Sequence, residues 1–303
     1  MNITLAQAYS FHQIGKRGNQ EDARWPDTDM PERRQRFFIV CDGVGGSEGG
    51  ETASQTVCES FGASISSYNL DKDFTNKDFS RCLDMAYAAL DNAKEKGGHD
   101  MATTLTIAVF HGEGCTLAHI GDSRIYQIRP SQGIVYRSDD HSLVNQMVHS
   151  GIITPEEAES HPQKNIITRY MGPVEEDQSR CMATVTRTSD IQAGDYFLLC
   201  TDGVLQRLNE EWLLNLLKTN QDDEEKTRKM AERCKDSSDN NTACLIRVEK
   251  VLREEPTDKE LPQETCHDTR RDFINTTTIE EVESVRQPPR QSALSQFFKR
   301  FFH

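Results

Sequence analysis

Six acidic residues and one arginine carry the chemistry open to this sequence. Glu21, Asp22, Asp42, Asp122, Asp202 and Asp239 each stand where an apolar run ends or in a polar loop beside one, and no His or Cys occupies a comparable place. A set of donors made only of carboxylate oxygens selects hard cations, Mg²⁺ or Mn²⁺, over zinc, which prefers imidazole or thiolate. A carboxylate that bridges two such ions about 3.5–4 Å apart can fix a shared water, and the resulting hydroxide is a nucleophile for phosphoryl displacement. Arg17 then acquires a use. A guanidinium beside a metal pair is a bidentate clamp for the non-bridging oxygens of a phosphate.

The elements that must position these residues read as strands ending on acids. Phe37-Phe38-Ile39-Val40-Cys41 is a bulky, β-branched run that stops at Asp42-Gly43-Val44-Gly45-Gly46, and Tyr196-Phe197-Leu198-Leu199-Cys200 stops the same way at Thr201-Asp202-Gly203. A short apolar run bounded by glycines is a strand pattern, and glycine lets the backbone turn tightly after the acid. A single Asp-Gly is usually only a turn. Two matched copies weaken that reading.

Taken in order, residues 3–12 alternate as a first strand, and Gly15 to Ala23 form a polar loop holding Arg17, Glu21 and Asp22. Ala53, Val57, Phe61 and Ile65 give residues 48–67 a helical stripe, and a second helix is expected over about 76–96, stopped by Gly97-Gly98. Residues 101–110, 115–120 and 125–128 form an antiparallel meander with Asp122 in a tight turn. Residues 143–172 read as a surface excursion of two short helices, the second capped by Thr154 with Pro155 at its first position. Strands follow at 181–188 and 196–200, helices at 210–218 and 223–235, and Asp239 precedes a final strand that closes the ordered domain near residue 250.

Composition narrows the function classes. The 303 residues suffice for one large domain with a tail, and a net charge of −14 argues against a nucleic-acid footprint, which needs a basic face. The nine cysteines contain no Cys-x-x-Cys pair, and several sit inside apolar runs, as small buried hydrophobes of a reducing compartment do. No apolar segment approaches the ~20 residues needed to span a bilayer. A cytoplasmic monomer is expected.

The ordered motifs Arg-x-x-x-Glu-Asp (Arg17 to Asp22), Asp-Gly-x-Gly-Gly (from Asp42), Thr-Thr-Leu (from Thr103), Gly-Asp-Ser-Arg (from Gly121), Asp-His-Ser (from Asp140), Thr-Asp-Gly (from Thr201) and Asp-Asn-x-Thr (from Asp239) together resemble the bacterial metal-dependent Ser/Thr protein phosphatases of the type 2C kind, over roughly residues 5–248. The resemblance implies an α+β fold, a four-layer α-β-β-α sandwich with two central antiparallel sheets and the metals at one end. It implies that Asp42 bridges two Mn²⁺ or Mg²⁺ ions, that Gly43 lends its carbonyl, that Asp202 and Asp239 hold one ion and Glu21 the other, and that Asp22 ligates directly or through water. Asp122, helped by Asp202, matches a third, weaker ion, Arg17 matches the phosphate-binding arginine, and residues 143–172 match a mobile flap. The implied substrates are phosphoserine and phosphothreonine in proteins, with a Ser/Thr kinase as counterpart. A catalytically silent phosphoprotein-binding scaffold is the alternative, against which the intact acid set argues.

Two positions depart from the pattern. Val44 stands where some relatives carry a histidine proposed as general acid, so leaving-group protonation falls to a water, and Gln20 stands where many carry Asn. Elsewhere structural roles are the better expectation: His141 as a buried hydrogen-bonding group, Thr103 and Thr104 as strand residues that hold ligand loops, and Arg124 as a partner for nearby acids.

Beyond residue 250 the composition turns charged and Thr-rich, as in a flexible linker over 251–290. Thr276-Thr277-Thr278-Ile279 resembles a ligand of forkhead-associated domains once phosphorylated, although solvated Thr runs are common in such segments. Leu294, Phe297, Phe298, Phe301 and Phe302 line one face of an expected amphipathic helix over 291–303. That face is suited to docking on a protein partner or a membrane surface, or to folding back on the domain.

Overall fold

The computed structural model describes residues 1–44, 48–95, 101–173 and 179–253. The chain divides into Met1–Arg253 and Glu254–His303. The latter unit, and with it the expected Thr276 motif and aromatic helix, lies outside the described residues, as do Gly45, Gly46, Gly97 and Gly98.

In chain order the first half contains β1 (Asn2–Leu5), β2 (Tyr9–Gln13), β3 (Ala23–Trp25), β4 (Phe37–Cys41), β5 (Gly43–Val44), α1 (Glu48–Ser66), α2 (Asn76–Glu95), β6 (Ala102–Thr103), β7 (Leu105–His111), β8 (Gly114–Ile120), β9 (Arg124–Arg129) and β10 (Gly133–Arg137). The second half contains α3 (Leu143–His149), α4 (Pro155–Ser160), β11 (Thr184–Thr188), β12 (Tyr196–Cys200), α5 (Asp202–Leu205), α6 (Glu210–Leu217), α7 (Asp223–Cys234) and β13 (Asn241–Leu252). One antiparallel sheet runs β1-β13-β12-β9-β10, with β2 also on β13; the other runs β11-β8-β7-β4-β3.

Period-two alternation divides each central strand between two cores. Phe38 and Val40 of β4 face inward, where with Ala108, Phe110, Leu117, Ile125, Phe197, Leu199 and Ile246 they fill the space between the sheets. Phe37, Ile39 and Cys41 face outward onto Val57, Phe61 and Ile65 of α1 and Phe79 and Leu90 of α2. On the opposite outer face Tyr126, Ile128 and Leu198 meet Leu213 and Leu216 of α6 and Met230 of α7. Because both faces are covered, β4, β7 and β12 are buried at every position, which is why β4 and β12 read as unbroken apolar runs. Phe110 ties the sheets together, edge-on to Phe38 at 6.4 Å and to Phe197 at 5.0 Å. Burying one such ring is worth about 1.5–3 kcal/mol.

The layers are helix, sheet, sheet and helix, as expected for the four-layer sandwich. Several details differ. The single strand expected at 3–12 is two strands, β13 runs on to Leu252, paired with Asn2, so the first residues assigned to a linker are sheet, and β11 starts at Thr184 and not at residue 181. Asp202-Gly203 opens a one-turn helix, α5, where a turn was expected. The Thr154 cap is present as a full capping box, with Glu157 reaching back to the Thr154 amide. Among the eight described cysteines all are free and only Cys181 is not buried.

Candidate active site

The registers bring the acids to one end of both sheets. In one sheet Cys41 at the end of β4 pairs with Ala23, so Asp42 and Asp22 leave neighbouring strands together, while Ile120 pairs with Leu105 and delivers the Asp122 turn beside Thr104. In the other sheet Cys200 lies between Arg124 and Ala243, so Asp202, Asp122 and the segment before Asn241 emerge at the same edge. Residues more than two hundred positions apart thus meet.

The loops are fastened by a hydrogen-bond frame. Asp42 donates its amide to Thr104 Oγ1 (3.0 Å), and its carbonyl accepts from the Thr104 amide (2.8 Å) and Thr103 Oγ1 (2.9 Å). Thr104 Oγ1 also meets Ser123 Oγ at 2.8 Å, joining the Asp42 loop to the Asp122 turn. Asn240 holds the third loop: its Nδ2 donates to the carbonyls of Ile14 and Asn19 and its Oδ1 accepts from the Glu21 amide (2.8 Å). The Glu21 carbonyl accepts from Gly43 (3.1 Å) and Ser54 Oγ (2.5 Å), and Glu21 Oε1 accepts from Asn19 (2.9 Å). Gln20 Oε1 accepts from the Asp22 amide, so the residue that departs from the usual Asn still serves the loop. At Gly203 a Cβ would lie 1.9 Å from the Asn240 carbonyl, a close approach that only glycine permits.

The electrostatics are those of acids held together against repulsion. Asp22 is 2% exposed; its Oδ2 accepts from Thr242 Oγ1 (2.6 Å) and Thr201 Oγ1 (3.0 Å), and its Oδ1 has no partner. Burial, opposed by those two hydroxyls and helped by Asp202 and Asp239, pushes its carboxyl up to about 8. Asp122 is pushed up to about 8 by desolvation and then by Asp202, and Asp202 to about 6 by desolvation and Asp239. Asp42 is held well above the carboxylate range by burial and by Asp22, Asp202, Asp122 and Asp239. The Asp42 side chain and Arg17 partly offset the upward shift at Asp202. Asp42, Asp122 and Asp202 keep some exposure, whereas Asp22 is buried.

Arg17 stands at the rim. Its Nη2 pairs with Asp239 Oδ2 at 2.6 Å while the side chain remains 47% exposed. Beside the acids opens a cavity of about 960 Å³ between the 143–172 segment and α5–α6, lined by Asp122, Arg124, Asn145, Lys164, Asp202 and Gln206 among others.

The set fits divalent cations chemically: every donor is an oxygen, and Asp22 Oδ1 and Asp202 Oδ1 are buried without a protein donor. Among the described residues no three His, Cys, Asp or Glu side chains are drawn in tightly enough to form a closed ligand cage.

The residues expected to be structural make hydrogen bonds and ion pairs, although His141 is half-buried and not buried. Arg124 forms a two-pronged pair with Asp140 at 2.6 and 2.7 Å, and His141 is hydrogen-bonded to Gly121 and Thr184. Asn240, Thr201, Thr242, Ser54 and Ser123 were not singled out from sequence. Four of them, all but Ser54, lie inside motifs already noted for their acids, and those motifs were the available signal.

A family profile described as Protein phosphatase 2C matches residues 29–245. The chain belongs to the protein phosphatase 2C family. It is 34% identical over 207 residues to the serine/threonine protein phosphatase PstP of Mycobacterium tuberculosis, covering 66% of this chain and 36% of that one, so it spans about a third of that relative's length. It is 32% identical over 196 residues to the protein phosphatase PhpP of Streptococcus pneumoniae, covering 64% of this chain and 76% of that one. The crystal structure of M. tuberculosis PstP superposes with a TM-score of 0.70 at 28% identity, over 82% of this chain and all of that one. A structure of the PstP catalytic domain in complex with two manganese ions gives 0.65 at 26% identity, over 82% and 100% of the two chains. Phosphatases of this family are metal-dependent.

Proposed function

We propose that this chain is an active protein serine/threonine phosphatase, dependent on Mn²⁺ or Mg²⁺, that hydrolyses phosphoserine and phosphothreonine in proteins. The observation that carries the reading is the acid set at one end of both sheets, with two buried carboxylate oxygens aimed at no protein donor. Asp42, Gly43 and Glu21, with Asp202 and Asp239, are the residues that would hold two ions, Asp22 would support them directly or through water, and Asp122 with Asp202 would hold a third. When bound, such ions offset the charge of the phosphate and lower the pKa of water for in-line attack at phosphorus.

The chain's own part is positioning. The frame through Thr104, Asn240 and Ser54 fixes the carboxylates before substrate arrives, so no reorganisation is needed in the transition state. Arg17 orients the phosphate: the described hydrogen bonds engage its Nη2 alone, which leaves the rest of its planar fork for phosphate oxygens. Val44 is aliphatic and pairs with Ala102, so the leaving alkoxide takes its proton from water.

A cytoplasmic setting, a Ser/Thr kinase as counterpart and docking of the C-terminal aromatic face on a partner or membrane surface belong to the same reading. Among the described residues no helix is long and apolar enough to cross a membrane.

The test is turnover of p-nitrophenyl phosphate and a phosphothreonine peptide with Mn²⁺, Mg²⁺, Zn²⁺ or chelator. Wild type should turn over both with Mn²⁺ or Mg²⁺ and neither with chelator; Asp42→Asn should lose at least about 10³-fold, equivalent to about 4 kcal/mol of barrier. Arg17→Ala should lose about 10²-fold in kcat/KM, with partial recovery in Arg17→Lys. Folded, metal-supplied wild type without turnover would sink the proposal and leave a binding module.

A further inference from the structure

We propose that His141 is a positioning residue that locks the 143–172 flap to the Asp122 turn, so that the flap and the third-ion carboxylate move as one unit. The inference rests on the phosphatase reading of the site. Its basis is a junction at which one imidazole serves both sides.

On the site side, His141 and Gly121 are doubly bonded: the His141 amide donates to the Gly121 carbonyl at 2.9 Å, and the Gly121 amide donates to His141 Nδ1 at 3.1 Å. Gly121 has a φ of +102°, and a Cβ there would lie 2.6 Å from the Thr104 side chain, whose hydroxyl holds the Asp42 amide. The glycine therefore brings the Asp122 turn against the Asp42 loop, and His141 closes it from behind. The preceding residue adds a charged brace, Asp140 to Arg124.

On the flap side, the His141 carbonyl accepts from the Thr168 amide at 2.7 Å, the Leu143 amide donates to the Ile166 carbonyl at 2.8 Å, and Ser142 bridges Ile167. His141 Nε2 meets Thr184 Oγ1 of β11 at 2.9 Å, and its ring stacks on that of buried His119 with centroids 4.5 Å apart and 11° between planes. The far end of the flap is fastened too: Met171 and Thr103 exchange both backbone hydrogen bonds at 2.8 Å, and Thr103 Oγ1 donates to the Asp42 carbonyl. Both ends of the flap are thus built on the loops that carry acids.

The tautomer follows from the donors. A backbone N–H on Nδ1 requires a bare nitrogen there, so the proton of the neutral ring is on Nε2 and is donated to Thr184. The guanidinium of Arg169, 3.4 Å from Nε2, then faces an N–H edge and disfavours a second proton. Desolvation, His119 and Arg169 together hold the ring neutral.

Asparagine is the discriminating variant, because its Oδ1 can occupy the place of Nδ1 and accept from Gly121. In the full chain, His141→Ala should lose about tenfold or more of NMR-detected hydrogen-exchange protection at Gly121 and across 143–172 without metal, as expected for one buried hydrogen bond, while α7 keeps its protection. With Mn²⁺ its KM for a phosphothreonine peptide should rise about tenfold, with kcat for p-nitrophenyl phosphate changed less than about threefold. His141→Asn should recover most of both losses, and Thr184→Val, which frees the ring without removing it, should show a smaller loss of the same kind. Equal impairment of the Ala and Asn variants, protection lost in α7 as well, or an unchanged flap would each overturn the assignment. A wild type lacking Mn²⁺-dependent turnover would defeat the phosphatase reading, while the exchange measurement would still decide the coupling.

Discussion

The two ends of the sandwich both bury carboxylates, and they treat them in opposite ways. At the end away from the acid set, Asp195 is wholly buried and satisfied by Arg129 at 2.8 and 3.0 Å, by Gln127 at 3.1 Å and by the Gln192 amide at 3.0 Å. Asp223 is likewise held by Arg247 at 2.5 Å and the Tyr196 hydroxyl at 2.8 Å, and Lys226 donates to that same hydroxyl. At the other end Asp22, Asp42, Asp122 and Asp202 face one another with no ion pair of their own among the described residues, since Arg17 reaches Asp239 and Arg124 pairs with Asp140. The same fold can supply cations to buried acids and does so where the role is structural. Where it withholds them, the charge is left for something from solution to neutralise, at a cost in stability.

The contrast is broken most severely at the structural end. Asp195→Ala should cost about 3–5 kcal/mol in denaturant unfolding, because it removes the buried partner of Arg129 and leaves that guanidinium only the more exposed Asp190 and Gln132. Turnover of the variant under folded conditions should stay within about twofold of wild type. A loss of kcat with unchanged stability would mean that the two ends are not separable.

At the acid end the sign reverses. Asp42→Asn removes a carboxyl whose ionisation is opposed by burial and by the neighbouring acids, so the metal-free variant should be more stable than wild type by about 1–2 kcal/mol even as activity disappears. Wild type should gain about 2.7 kcal/mol at a Mn²⁺ concentration one hundred times the dissociation constant, and Asp42→Asn less than half of that at the same concentration. Thermal unfolding with Mn²⁺ and with chelator reads both effects, and a variant destabilised in chelator would show that Asp42 has a structural role.

This division was partly legible in the sequence. The runs ending at Asp42 and Asp202 announce strands because both faces of β4 and β12 are buried, and the acids stand out because each ends an apolar run. Short β3, whose Arg24 interrupts the apolar pattern, and the edge strand β10, half exposed along its length, gave no comparable sign. The donors to Asp22 were hidden for a different reason: Thr201 and Thr242 lie 179 and 220 positions away, and only the antiparallel pairing of Cys200 with Ala243 sets them side by side. Composition and spacing report which residues can ligate, whereas the frame that aims them is a property of register.

The finest distinction between the ends is the slope of stability against pH in the presence of chelator. His111, at the structural end of β7, is 1% exposed; its Nε2 meets Thr116 Oγ1 at 3.0 Å, and burial, reinforced by Arg187 and Arg36 and opposed by Asp73, pushes it down to about 4. A histidine whose folded pKa lies below its unfolded value near 6.5 binds its proton more readily in the unfolded chain, so stability falls as pH drops from about 6.5 to about 4. His111→Gln should flatten that acid limb. Asp22 does the reverse: a carboxyl raised to about 8 from an unfolded value near 3.9 holds its proton more tightly when folded, so metal-free stability falls as pH rises from about 4 to about 8, and Asp22→Asn should flatten that limb. Mn²⁺ should remove the alkaline slope and leave the acid one, since a cation replaces the proton at the acid set and has no site near His111. Unfolding free energies at pH 4.5, 6 and 8, with and without the ion, separate the two limbs, and loss of both slopes on adding Mn²⁺ would contradict the independence of the two ends.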